Sequence, residues 1–291
     1  MVDTGFIGLG DMGGPIAEHL VDAGHDVTVF DIDADAMSRL TDTGATPAED
    51  ASDVVSRSEV VFLSLPTPGA VEAVVGETFD AFEEGTVLAD LTTSTPETTL
   101  AVEERLADQG VTVLGAPVSG GKSGAVDGTL SVMVGGNRPE FEACRPLFET
   151  FAANVFHIGE SPGDGHAVKL LNNYLSFTAL LATSEAVILG SAAGIDRETL
   201  VEVFNVSSGR NSATEDKFPE QILTEQFDTG FKLALMEKDA RLFTEFGEDH
   251  EMPLLLGTTV RQLVGYAHST EGSDADMTDV YNFLASVMQR E

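Results

Sequence analysis

Phe6-Ile7-Gly8-Leu9-Gly10-Asp11-Met12-Gly13-Gly14 decides how this chain is read. A short apolar run turns into spaced glycines, and 15–20 then reads as helix. The spacing is G-x-G-x-x-G, set between a strand and a helix. In that setting Gly8 allows the tight turn, Gly10 lets a pyrophosphate approach the backbone, and Gly13 lets helix and strand pack closely. The phosphates sit on the helix N-terminus, where unpaired N–H groups point outward. Outside that setting the same residues are only a glycine-rich turn.

The next β-prone run, Asp26-Val27-Thr28-Val29-Phe30, ends at Asp31, 21 residues beyond Gly10. An acidic group about 20 residues on accepts hydrogen bonds from the adenosine ribose hydroxyls and repels a 2′-phosphate. NAD is therefore expected over NADP. No arginine follows, because Ile32-Asp33-Ala34-Asp35 continues acidic. Asp31 also suits the N-cap of a helix over 35–40.

The chain has 291 residues, enough for two domains with a substantial core. No stretch reaches the roughly 18 uninterrupted apolar residues of a membrane span. The opening residues run straight into the first strand without a basic segment, so no signal peptide is expected. A single cysteine, Cys144, leaves no internal disulfide; a place in or beside a helix is expected for it. Forty-nine acidic residues against fifteen Lys plus Arg give a net charge of −34. A field of that sign repels nucleic acid and anionic membranes, so neither is expected as a partner. The acids are scattered: Glu49-Asp50, Glu83-Glu84, Glu103-Glu104, Glu215-Asp216 and Glu248-Asp249 all fall in polar gaps. Such dispersal implies a solvated acidic surface, the halophilic pattern, in a salt-rich cytoplasm whose ions screen the repulsion.

To about residue 160 the chain alternates strand, turn and helix. Strands are expected over 59–65, 85–89, 111–114, 130–134 and 155–158, with helices over 70–78, 97–108 and 139–148. That alternation implies a largely parallel sheet with helices on both faces. The pattern changes near Ser161-Pro162-Gly163. One long helix over 165–189 follows, apolar on more than one face and therefore buried. Further helices fit 197–204, 233–246, 254–267 and 276–288. The expected fold is an α/β Rossmann-type N-terminal domain, 1–161, with an all-α C-terminal domain, 162–291, for substrate and oligomerisation.

Gly115-Ala116-Pro117-Val118-Ser119-Gly120-Gly121 follows a strand end, where ligands lie in open α/β sheets. Ser119 and the N–H groups of Gly120 and Gly121 suit a carboxylate. Lys169 and Asn173 stand four apart and share one helix face. A lysine of depressed pKa can move a proton to or from oxygen while hydride moves on carbon. His166 is an equal candidate for that base, its intrinsic pKa being nearer neutrality. Lys238-Asp239 reads alone as an ordinary salt pair. Six scattered histidines and one cysteine show no ligand spacing, so no metal is expected.

Taken together, these segments resemble the β-hydroxyacid dehydrogenases, the family of 3-hydroxyisobutyrate dehydrogenase and of tartronate semialdehyde and other short semialdehyde reductases. The resemblance runs over essentially the whole chain. It rests on Gly8 to Gly13, on Ala116 to Gly121 with Gly128-Thr129-Leu130 and Val134-Gly135-Gly136, on Gly163 to Asn173, and on Lys238-Asp239. It implies an NAD-dependent enzyme acting on a small β-hydroxy acid, most closely 3-hydroxyisobutyrate, or reducing the matching semialdehyde. By the same resemblance Lys169 is catalytic, Asn173 orients the substrate, and Ser119, Gly120 and Gly121 bind its carboxylate. Lys238 closes over the cofactor, Ser94 lines the nicotinamide side, and Leu65-Pro66 form a rim over the adenosine half. A homodimer or homotetramer is implied as well. The alternative in another class is a nucleotide-binding interaction module without catalysis. Two departures stand out: Gly115 replaces an aspartate common in the family, and Lys122 follows the substrate glycines, where it favours a second anionic group or points to solvent.

Overall fold

The computed structural model describes residues 2–288. Two compact units divide the chain, Met1–Lys169 and Leu170–Glu291. The first unit runs β1 (Asp3–Ile7), α1 (Gly13–Asp22), β2 (Asp26–Phe30), α2 (Ala34–Thr43), β3 (Thr46–Pro47), α3 (Ala51–Ser56), β4 (Val60–Leu63) and α4 (Pro68–Glu77). It continues with β5 (Val87–Asp90), α5 (Pro96–Leu106), β6 (Thr112–Gly115), β7 (Val118–Ser119), α6 (Gly121–Asp127), β8 (Leu130–Gly135), α7 (Arg138–Phe148) and β9 (Ala152–Gly159). The strand order is β3-β2-β1-β4-β5-β6-β8-β7, with β9 beside β8. Strands β1 to β6 pair in parallel. The order reverses at β1, and the glycine loop leaves the sheet at that point.

Side chains alternate across the sheet, as a strand period of two requires. Phe6, Phe62, Ala89 and Leu114 enter one core cluster, and Ile7, Val61, Leu63, Leu88 and Val113 enter the other. Helices therefore cover both faces. Phe62 stacks on Phe6 at 5.8 Å and meets Phe148 edge-on at 5.8 Å. Thr67 and Thr95 cap α4 and α5, each with proline in the first turn, the arrangement that starts a helix without wasting an N–H.

The sheet departs from the parallel pattern at its far end, where β8 runs antiparallel to β6 and β7. Four short elements also lie outside the expected pattern: β3, α3, β7 and α6. Sequence Gly121-Lys122-Ser123-Gly124 has no apolar period to announce a helix. Cys144 lies buried on α7, and burial pushes its thiol up to about 12. All ten residues of the five acidic pairs are exposed.

Helix α8 (Gly163–Ala192) spans the division between the units, and α9 (Arg197–Asn205), α10 (Leu233–Asp249), α11 (Leu255–Glu271) and α12 (Val280–Met288) follow it. Between α9 and α10 a π-helical segment, Ala213–Ile222, carries Pro219. A proline interrupts the ordinary hydrogen-bond ladder there, and the sequence pattern gave no helix. Helix α8 is long and apolar enough to cross a membrane, with mean hydropathy 1.5 in an 18-residue window. Here Phe177, Leu180, Leu181, Val187 and Ile188 instead join the core of the second unit. Leu171, Leu175 and Leu189 remain exposed.

Candidate active site

Gly8 leaves β1 with φ +95°, a conformation that side chains resist. Its N–H donates to the Phe30 carbonyl at 3.0 Å, which ties the turn to β2. A Cβ at Gly8 would run into the Ser64 carbonyl, and one at Gly13 into the Gly8 carbonyl. The protein's own packing explains both glycines. Gly10 differs, because a Cβ there meets nothing within 4 Å. That open ground is a cradle for a group that must approach the backbone. Helix α1 starts beside it with no side-chain cap and no acidic residue in its first turn, an end suited to phosphate oxygens. Leu9 turns its side chain into the core, and Asp11 and Met12 complete the loop.

Asp31 is fixed from two sides. Its Oδ2 accepts the Leu9 N–H at 2.5 Å and its Oδ1 accepts the Asp33 N–H at 2.8 Å. The cap of α2 falls instead to Asp33, which accepts the Asp35 N–H at 2.9 Å. Asp31 is thus bound to the glycine loop rather than spent on the helix. The Leu65 N–H donates to Thr92 Oγ1 at 3.0 Å, and the Thr92 N–H donates to Asp90 Oδ1 at 2.9 Å. These bonds link the ends of β4 and β5; Pro66 beside them is exposed. Ser94 is fully buried, and its Oγ has no hydrogen-bond partner among the described residues. A buried hydroxyl left unsatisfied is unusual. With the Gly10 cradle and the anchored Asp31, it fits a dinucleotide along the carboxyl ends of the strands.

Ser119 ends β7 half-buried, and Gly120 and Gly121 turn the chain with φ +136° and +65°. Lys122 places Nζ 2.8 Å from Asp11 Oδ1. This exposed pair joins the loop after β7 to the cofactor loop. Gly115 ends β6 where the chain would need room: a Cβ there would run into the Pro162 carbonyl and stand 2.7 Å from His166 Cδ2. The family's aspartate has no space at this position. His166 is fully buried, neither ring nitrogen has a hydrogen-bond partner among the described residues, and Nε2 lies 3.7 Å from Asp90 Oδ2. Burial pushes the imidazole down to about 3. An enclosed imidazole of so little basicity is a poor general base.

Lys169 is buried on α8 at 7% exposure, and Asn173 follows one turn later, equally buried. Within the second unit the Asn173 Nδ2 donates to Asp239 Oδ2 at 2.7 Å. Lys238 Nζ lies 3.4 Å from Asp239 Oδ1, with both side chains largely buried. The ordinary surface pair expected of Lys238-Asp239 is therefore a buried one. Asp239 is the residue that sequence reasoning undervalued. Its signal was its place on α10, three residues after Met236 and four before Phe243, both buried. A carboxylate on that apolar face needs a partner. Among the described residues no group of three His, Cys, Asp or Glu gathers as a metal site would.

Strand order, glycine cradle, anchored acidic residue and a helical second unit together define a two-part dinucleotide-dependent dehydrogenase. A family profile described as the NAD binding domain of 6-phosphogluconate dehydrogenase matches residues 3–159. A second, described as NAD-binding of NADP-dependent 3-hydroxyisobutyrate dehydrogenase, matches 163–284. The chain is 37% identical over 272 residues to 3-hydroxyisobutyrate dehydrogenase of Pseudomonas aeruginosa, covering 90% of this chain and 91% of that one. It is 36% identical over 265 residues to 2-(hydroxymethyl)glutarate dehydrogenase of Eubacterium barkeri, covering 90% and 88%. The solved structure of Mycobacterium tuberculosis 3-hydroxyisobutyrate dehydrogenase with L-serine superposes with TM-score 0.91 at 29% identity, over 98% of this chain and 99% of that one. The chain belongs to the β-hydroxyacid dehydrogenase family and is an NAD-dependent oxidoreductase acting on a small β-hydroxy acid.

Proposed function

We propose that the enzyme oxidises acids of the form HOCH2–CH(R)–COO−, with 3-hydroxyisobutyrate as the leading substrate and Lys169 as general acid–base. The observation that carries this reading is the buried Lys169, one helical turn from an Asn173 whose amide is held by Asp239. Bound NAD supplies the acceptor for the hydride that leaves carbon. The neutral Lys169 amine takes the hydroxyl proton in oxidation, and its ammonium returns a proton to the carbonyl oxygen when a semialdehyde is reduced. Asn173 orients that oxygen. The Ser119 hydroxyl and the N–H groups of Gly120 and Gly121 hold the carboxylate. Asp31 receives the ribose hydroxyls, the loop from Gly8 to Gly13 the pyrophosphate, and Ser94, Leu65, Pro66 and Lys238 flank the cofactor.

The named relatives support the substrate class. 3-Hydroxyisobutyrate, 2-(hydroxymethyl)glutarate and L-serine share one core, HOCH2–CH(R)–COO−, and differ only in R. Lys122 bears on R, since an anionic R has to draw its ammonium away from Asp11. A small apolar R avoids that competition. A steady-state panel with NAD in molar salt tests the reading. Acids with a β-hydroxyl are expected to lead, and 3-hydroxyisobutyrate to surpass serine and 2-(hydroxymethyl)glutarate. Oxidation of 2-hydroxy acids alone would overturn it.

The same reading extends to assembly and setting. The exposed Leu171, Leu175 and Leu189 follow one face of α8 on a chain whose surface is otherwise strongly acidic. A second copy covering that stripe gives a homodimer, and light scattering at molar salt checks it. The exposed acidic pairs suit a salt-rich cytoplasm, with activity rising into the molar range of KCl.

A further inference from the structure

We propose that His166 is a positioning residue for Lys169: its buried ring, seated between Gly115 and Asp90, sets where the first turn of α8 meets the strand ends, and so where Lys169 stands relative to the loop from Ser119 to Gly121. The proposal rests on the acid–base role given to Lys169 above.

The first turn of α8 meets the sheet almost backbone to backbone. A Cβ at Gly165 would run into the carbonyls of Gly115 and Met133, and a Cβ at Gly163 would lie 3.0 Å from Pro96 Cβ. The His166 side chain is inserted into this contact against Gly115, and it is fully enclosed. No hydrogen bond holds it, and Asp90 at 3.7 Å is too far to do so. Shape holds the ring, and a buried imidazole without hydrogen bonds is a poor choice for stability alone. The matching surface is Gly115, where a Cβ would stand 2.7 Å from Cδ2 and 2.9 Å from Nε2. Ordinary contact begins at 3.4 Å, so even a methyl group at 115 displaces the ring, the helix turn or both. The Pro162 carbonyl, just ahead of α8, lies nearer still to that Cβ, so Gly115 meets the His166 ring and the start of α8 in one fitted contact with no room for a side chain at 115.

Lys169 follows His166 by three residues, about 4.5 Å along the same helix. Both lie in one unbroken helix, so a displacement of the first turn carries to Lys169. A misplacement of about 1 Å in a reacting group lowers a rate about a hundredfold. The ring therefore acts on turnover through Lys169 without touching substrate.

The test compares Gly115→Ala, His166→Ala and His166→Gln with Lys169→Ala as control, reading kcat, the KM for NAD, and NADH binding by nucleotide fluorescence. Gly115→Ala and His166→Ala are expected to lower kcat about 10- to 100-fold while NADH affinity and the KM for NAD hold within about threefold. His166→Gln, which refills much of the ring's volume, is expected to recover most of that loss. Wild-type kcat in both Gly115→Ala and His166→Ala, with Lys169→Ala inactive, would overturn the positioning role and leave the acid–base role standing. Equal losses in the alanine and glutamine variants would also overturn it, since fit would then not matter. Full turnover in Lys169→Ala would remove the acid–base role and this inference with it. If His166→Ala does not fold, Gly115→Ala and His166→Gln decide the matter alone.

Discussion

Acid should destabilise the wild-type protein through His166 in a way that His166→Gln abolishes. The folded imidazole is pushed down to about 3 by burial, against an ordinary value of 6.5. Below about 6.5 the unfolded chain therefore binds a proton here that the folded chain refuses. Stability is fully present above that pH, falls as pH drops, and the loss is complete near pH 3. At about 1.4 kcal/mol per pKa unit the total effect is capped near 5 kcal/mol, and between pH 7 and pH 5 it is about 2 kcal/mol. Urea unfolding at fixed molar salt measures it, with wild type and His166→Gln compared at each pH so that the many shared carboxylates cancel. The wild-type advantage should shrink by about 2 kcal/mol on going from pH 7 to pH 5. A flat difference would refute the neutral, enclosed ring. An advantage that grows in acid would show His166 charged and paired with Asp90.

Gly13→Ala forces the start of α1 away from the Gly8 carbonyl, and NADH affinity should fall by at least about tenfold in a fluorescence titration. Asp31→Ala removes both the anchor on Leu9 and the charge that opposes a 2′-phosphate, so the ratio of kcat/KM for NAD over NADP should narrow; an unchanged ratio assigns the preference elsewhere. Asp239→Asn leaves the Asn173 amide only a neutral acceptor in place of a carboxylate, and kcat should drop by up to about tenfold, the scale of the lost charge assistance, with NADH binding retained.

The nucleotide half was legible because its signals are local. A strand, three glycines and a helix follow one another within about twenty residues, and β2 ends at Phe30, directly before Asp31, as its run of β-prone residues implies. The long helices of the second unit were legible from apolar periodicity. Short elements were not: β3 and β7 hold two residues each, and α6 carries two glycines. The antiparallel turn of β8 was hidden as well, since pairing direction is set by connections rather than by composition. At the site, Lys169 and Asn173 were visible from their spacing of four. Their support was not, because it joins residues far apart in the chain: Asn173 with Asp239, Asp31 with Leu9, Gly115 with His166. Gly115 read as a departure from the family pattern, and the packing of the Pro162 carbonyl and His166 against it gives it a reason.

The most direct test of the account is the turnover of Lys169→Ala with NAD and 3-hydroxyisobutyrate in molar salt, measured beside its affinity for NADH. General acid–base catalysis by a placed side chain contributes about 10²- to 10⁴-fold. The account predicts a loss of that size in kcat, NADH affinity close to wild type, and partial recovery when methylamine is added as a substitute amine. Turnover within about threefold of wild type would contradict the assignment of Lys169 as the group that moves the proton.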